Sequence, residues 1–151
     1  MSRVNLEEDV RGMVVLTFSM IIGILLFMGV GIVVNYSNGP FLADRDLMNT
    51  FFYIVLAFTF LLVVVARITY VKKIASLKEA VLPADEKVSD FRAISITHMA
   101  LCELPAIFSL ICFLQFGNYL FLSPVVIGVA EMIIQFPTRE KLEEVADTGS
   151  V

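Results

Sequence analysis

Charge is what this sequence has least of. Only 17% of its 151 residues are Asp, Glu, Lys or Arg and 58% are hydrophobic, whereas charged residues make up about a quarter of an ordinary soluble domain. Histidine occurs once and cysteine twice. These scarcities exclude several chemistries. Cys102 and Cys112 fall on one predicted helix about 15 Å apart along its axis, too far for a mutual disulfide, so they read as buried thiols. A haem needs a further axial ligand beside His98, and nothing in the sequence singles one out. His98 and Cys102, one helical turn apart, are two metal ligands and a third would have to be Glu131; no metal and no cofactor are expected. No P-loop, glycine-rich dinucleotide fingerprint, HExxH or GxSxG occurs, so no catalytic residue is assigned. A formal net charge of −4 without a sizeable basic face argues against nucleic acid as a partner.

What the chain has in place of charge is long apolar runs. Crossing a bilayer core of ~30 Å takes roughly 20 apolar residues in a helix. Gly12 to Asn35 and Leu47 to Ala66 carry no charge, Ala93 to Leu114 carries only His98 and Glu103, and Tyr119 to Phe136 carries only Glu131. The predicted class is therefore all-α: an integral-membrane, antiparallel four-helix transmembrane bundle forming one domain over residues 1–151. Its spans are expected at about 12–35, 47–71, 92–116 and 119–136, with a connection at 72–91 and a tail at 137–151. Glu7, Glu8 and Asp9 precede a first run too long for a signal-peptide core, so that run is expected to remain as a helix.

Lysine and arginine set the orientation, because short loops rich in them stay cytoplasmic. Arg67, Lys72, Lys73, Lys78, Lys87 and Arg92 surround the middle connection. With four spans both termini join that side, adding Arg3, Arg11, Arg139 and Lys141 and leaving Arg45 alone outside. The expected location is a bacterial inner membrane with both ends in the cytoplasm. Asn38-Gly39-Pro40 and Gly117-Asn118 mark the outer turns. Ile74, Leu77 and Val81 continue a helical spacing past the second span until Pro83, while Pro137 ends the fourth and Thr138 can cap a short charged helix, REKLEEVA, before a loose DTGSV.

The candidate site residues follow from the helical wheels. In the first span Ser19, Gly23 and Gly31 share a ridge of small residues, which suits close helix packing inside the bundle or against a second copy. On the third span Ser95, His98, Cys102, Ser109 and Cys112 form a small, polar stripe; on the fourth Pro124, Gly128, Glu131 and Gln135 do the same. The stripes are expected to face each other and bring His98 to Glu131. At ~1.5 Å per residue His98 lies ~9 Å, Glu131 ~8 Å and Arg67 ~6 Å from the cytoplasmic ends, one shared level. Intramembrane ionisable groups pair or neutralise, and mark function by default. Glu103 lies ~140° from His98 on the wheel, near the centre of the span and among aliphatic residues. A carboxylate there is expected in its protonated form, a candidate proton-binding group. Pro105, two residues on, deprives the Leu101 carbonyl of its helix donor and offers a local opening.

The stretch CELPAIFSLICFL, residues 102–114, resembles the carboxylate helix of the rotary ATP synthase proteolipids. That resemblance implies a proton-binding role for Glu103, with Phe108 as the family's downstream aromatic. No span here has the glycine at every second residue that the inner helix of those proteins carries. ALCELPAIFSLICFLQFGN and QFPTREKLEE together resemble small four-span bacterial inner-membrane proteins of unassigned function.

The leading functional expectation is a non-enzymatic accessory or structural subunit of a membrane assembly, since the loops are too short for an external domain and the polar groups are few. A proton- or small-ion-coupled carrier or channel component using Glu103 comes second, and a small membrane enzyme or cofactor-binding bundle third. The expected partners are the lipid bilayer and either another membrane protein or a second copy of the chain.

Overall fold

The apolar runs become helices that overshoot them. The structure, a computed structural model, describes residues 6–147, with side chains from Glu8 to Val145. The Arg3 and DTGSV readings fall wholly or mostly outside that range. Helix α1 is Leu6–Asn38, α2 Arg45–Glu79 and α3 Ala84–Phe116, and no strand occurs among the described residues. All three are long and apolar enough to cross a membrane. At 33 to 35 residues each, they run about 50 Å at ~1.5 Å per residue, some 20 Å more than a bilayer core. In α2 and α3 most of the excess is the connection 72–91, which is helical on both sides of residues 80–83. Pro83 does not end α2, as its spacing suggested; α2 stops at Glu79 and Pro83 stands at the N-terminal edge of α3, where its missing N–H costs nothing.

Local chemistry explains the other ends. The Asp44 carboxylate accepts from the backbone N–H groups of Asp46 and Leu47, both at 3.0 Å, and starts α2. Gly117, at φ 65°, closes α3 in the left-handed conformation, its N–H bonded to the Phe113 carbonyl at 2.8 Å. The return helix is shorter than the apolar run from 119 to 136 suggests. A 3-10 turn over Tyr119–Phe121 leads into α4, Leu122–Ile134, and a break at residues 135–138 bends the chain by 58° into α5, Arg139–Asp147. Tyr119–Ile134 and α5 count as a fourth membrane-length helix only if taken together. Thr138 starts α5, accepting from the Lys141 N–H at 3.4 Å.

Helix α3 is the hub. Antiparallel to it runs α2, with Phe51 against Phe116, Phe58 against Phe108 and Tyr70 against His98. Parallel to it runs α1, whose Thr17 hydroxyl meets Met99 Sδ and whose Gly31 packs on Phe113. Helix α4 also packs on α3 and touches both α1 and α2, but α1 and α2 make no packing contact with each other among the described residues. The section is thus a flattened rhombus with α3 and α4 on the short diagonal.

Three cores stack along it. Phe113, Phe116, Phe121 and Val55, with Phe51 and Phe52 packed on them, close the end at the 39–44 loop. Ile24, Met99, Cys102, Ala106 and Met132 fill the middle. At the opposite end Met13, Leu77, Val88, Phe91, Leu142 and Val145 form an annex mostly beyond the apolar runs, in which α5 lays Leu142 and Val145 across the other helix ends.

Lys87 departs from the sequence reading. Counted there as a loop cation, it is fully buried near the start of α3, and its Nζ has no hydrogen-bond partner among the described residues. An unsatisfied buried amine costs about 1–3 kcal/mol or more. Lys87→Met, which keeps the stem and removes the amine, is therefore expected to raise the thermal unfolding temperature. A lower temperature would mean that the fold depends on the amine.

Candidate functional site

The two polar stripes are buried and lie against each other. On α3, Ser95, His98, Cys102, Ser109 and Cys112 are all buried; on α4, Pro124, Gly128 and Glu131 are buried and Gln135 is half-buried. Gly128 makes the approach. A Cβ there would stand 2.9 Å from the Cys102 carbonyl oxygen, so the α4 backbone rests directly on the α3 backbone, as small residues permit. The Ser109 hydroxyl donates to the Phe121 carbonyl. Pro105 is buried, and α3 continues through it as helix.

On this contact sits a polar group toward the α5 end. An exposed Arg67 reaches in from α2, its guanidinium 3.8 Å from one carboxylate oxygen of Glu131, while the other oxygen, Oε1, is buried without a hydrogen-bond partner among the described residues. His98 does not bond to Glu131. Its Nε2 lies 3.8 Å from Cys102 Sγ, its ring packs on Tyr70 with centroids 4.9 Å apart, and its buried Nδ1 makes no well-formed hydrogen bond among the described residues, although the Ala66 backbone lies close enough to interact with the ring. The carboxylate and the imidazole remain within electrostatic range. A cavity of about 10 Å³ between α2 and α3 touches His98, Tyr70, Thr69 and Thr97, at the lower limit for one water.

Two members of this group were not read from the sequence. Tyr70 stands three residues after Arg67, on the same face of α2. That spacing was the available signal, obscured by the tyrosine's ordinary place near a membrane interface. Lys141 comes from α5. Its ammonium donates to the carbonyls of Ile134 at 3.4 Å and Phe136 at 3.2 Å, satisfying the end of the α4 segment. Burial lowers its pKa from the usual lysine value.

Other candidates lie apart. Glu103 is half-buried on the flank of α3, between buried Met99 and Ala106 and exposed Ala100 and Ile107, with no hydrogen bond or ion pair among the described residues. Of the small residues in α1 only Gly31 meets α3, with a Cβ position 3.3 Å from the Phe113 ring. Ser19 and Gly23 point outward: Ser19 is exposed and bonds its own helix at Val15, and nothing lies within 4 Å of a Cβ at Gly23. The stripe that faces α3 runs instead through Met13, Thr17, Ile21 and Ile24, rotated from the small-residue ridge.

Comparison with protein-family models, with curated proteins and with solved structures gives no match to this chain. Its chemistry has to be argued from its own residues. Among the described residues no three His, Cys, Asp or Glu side chains gather to hold a metal. The buried carboxylate of Glu131, the His98 imidazole and the Cys102 thiol lie near one another, with the Arg67 guanidinium reaching in from the surface. That set can hold a proton or a water, and it can fasten helices.

The two carboxylates are expected to differ in reactivity. Hydrophobic carbodiimides reach carboxyl groups from the apolar phase, so Glu103, half-buried on the flank of α3, should be labelled while Glu131, buried beside the Arg67 guanidinium, is shielded. Mass mapping of the labelled chain checks this. Modification at Glu131 with none at Glu103 reverses the two roles.

Proposed function

We propose that the chain is a non-enzymatic accessory or structural subunit of a membrane assembly. It forms a four-pass antiparallel bundle in the bacterial inner membrane, with both termini cytoplasmic. The helix lengths and the lysine and arginine distribution support the membrane arrangement. One observation carries the functional reading: among the described residues α1 and α2 do not lie side by side, each being held by α3, α4 and α5 instead. Their outer faces are open, and on α1 that face carries Ser19 and Gly23, where another helix backbone can come close. Purification from native membranes in mild detergent tests the reading. A stoichiometric membrane partner, lost when Gly23 is replaced by leucine, supports it; a solitary chain in every detergent contradicts it.

The buried carboxylate oxygen Oε1 of Glu131, without a hydrogen-bond partner among the described residues, favours a second reading. In it the chain is a proton- or small-ion-coupled component that uses Glu103 with Glu131 and His98 as relay, the role implied by the resemblance of residues 102–114 to the proteolipid carboxylate helix. Proton flux in vesicles holding the purified protein, abolished by Glu103→Gln, distinguishes it from the first.

A further inference from the structure

Above the His98 cavity α2 and α3 part to leave a cleft of about 440 Å³. Small residues open it: Ser76 on α2 and Ala80 at its C-cap face Ala93 and Thr97 on α3, each pair one turn apart. Two charges line it, Lys73 from α2 and Asp90 from α3. Both are exposed, and neither forms an ion pair or hydrogen bond among the described residues. Two opposite charges sharing an opening without closing on each other leave room for a ligand that carries both signs.

The level of the cleft says where such a ligand comes from. Ala93 and Thr97 lie inside the apolar run of α3, Asp90 just before it, and Lys73 about 10 Å beyond the charge-free run of α2 at ~1.5 Å per residue. The cleft therefore straddles the edge of the hydrocarbon core, where headgroups begin, and the Lys73 stem can reach back toward that layer. This placement rests on the membrane arrangement proposed above, though not on the subunit reading.

We propose that the cleft binds the headgroup of phosphatidylethanolamine, with Lys73 and the Ser76 hydroxyl on the phosphate and Asp90 on the primary ammonium. The charges choose the headgroup. An anionic lipid such as phosphatidylglycerol offers a phosphate to Lys73 but brings no ammonium to Asp90, whose charge then repels it. Phosphatidylcholine brings a cation with no N–H to donate to the carboxylate.

The test takes the full chain reconstituted in vesicles of equal parts phosphatidylethanolamine and phosphatidylglycerol, then extracted in mild detergent, with mass spectrometry of the lipid that stays bound. The wild-type chain is expected to retain phosphatidylethanolamine over phosphatidylglycerol, and to retain no phosphatidylcholine where that lipid replaces phosphatidylethanolamine. Asp90→Asn should weaken phosphatidylethanolamine binding about tenfold, the loss of one charge-assisted hydrogen bond, and leave phosphatidylglycerol unweakened. Lys73→Gln should weaken both. Equal retention of the two lipids, retention untouched by Asp90→Asn, or a wild-type chain free of lipid each overturns the assignment. Alkaline carbonate washing of the same vesicles separates the two levels. A chain washed off refutes the membrane arrangement itself, whereas one that stays embedded but is indifferent to phosphatidylethanolamine refutes only the cleft. Both side chains are exposed, so unchanged circular dichroism is expected in the variants.

Discussion

Gly128→Ala is expected to destabilise the bundle while Gly23→Ala does the opposite. Helix propensity alone favours alanine over glycine by ~1 kcal/mol at either position. At Gly23 nothing lies within 4 Å of the added methyl, so the gain should appear in full in the isolated protein. At Gly128 the methyl stands 2.9 Å from the Cys102 carbonyl oxygen and 3.5 Å from the Ala106 Cβ. The nearer obstacle is backbone, which cannot swing aside, so α4 must lift off α3. Overpacking of this kind costs about 1–3 kcal/mol, and valine should cost more. Lifting α4 also moves Glu131 from Arg67, so carbodiimide labelling of Glu131 should rise in Gly128→Val. Thermal unfolding in detergent measures the first effect. Equal behaviour of the two alanine variants would mean that α3 and α4 are not in backbone contact.

Leu142→Ala is expected to cost about 2–5 kcal/mol, the range for emptying a buried leucine site. Leu142 is fully buried among Met13, Leu77, Val88 and Phe91, so the loss falls on the annex that joins the start of α1, the end of α2, the start of α3 and α5. Undocking of α5 removes Lys141 from the carbonyls of Ile134 and Phe136. The expected sign is rapid proteolysis at residues 135–138, while the span region stays protected. A tail as resistant as in the wild type would place the α5 contact outside the forces that hold the fold.

Much of this architecture is legible in the apolar runs. Period and length place the long helices, Asn38-Gly39-Pro40 and Gly117 are where turn chemistry predicts breaks, and the wheels put Ser95, His98, Cys102, Gly128 and Glu131 on the buried faces. The rest was hidden for physical reasons. In a wholly apolar helix, lipid-facing and protein-facing sides look alike. The small-residue ridge of α1 therefore suggested packing where Met13, Thr17 and Ile21 in fact pack, and Ser19 and Gly23 turned outward. The charged connection read as solvated because six cations surround it; only the side chains at Val88, Phe91, Leu142 and Val145 reveal a second core, and they are too few to give a strong periodic signal. Lys87 is buried by that core. The Tyr70 contact with His98 joins helices α2 and α3 at positions that no local pattern links.

The central claim is a bundle inserted with its annex in the cytoplasm and its aromatic end outside, and single cysteines test it directly. Ser37, at the end of α1, and Ala75, near the end of α2, are exposed, whereas the native Cys102 and Cys112 are buried and give little background. In intact spheroplasts a membrane-impermeant maleimide is expected to label Ser37→Cys at once and Ala75→Cys only after lysis. Labelling of Ala75→Cys in intact spheroplasts, or of Ser37→Cys only after lysis, would contradict the account.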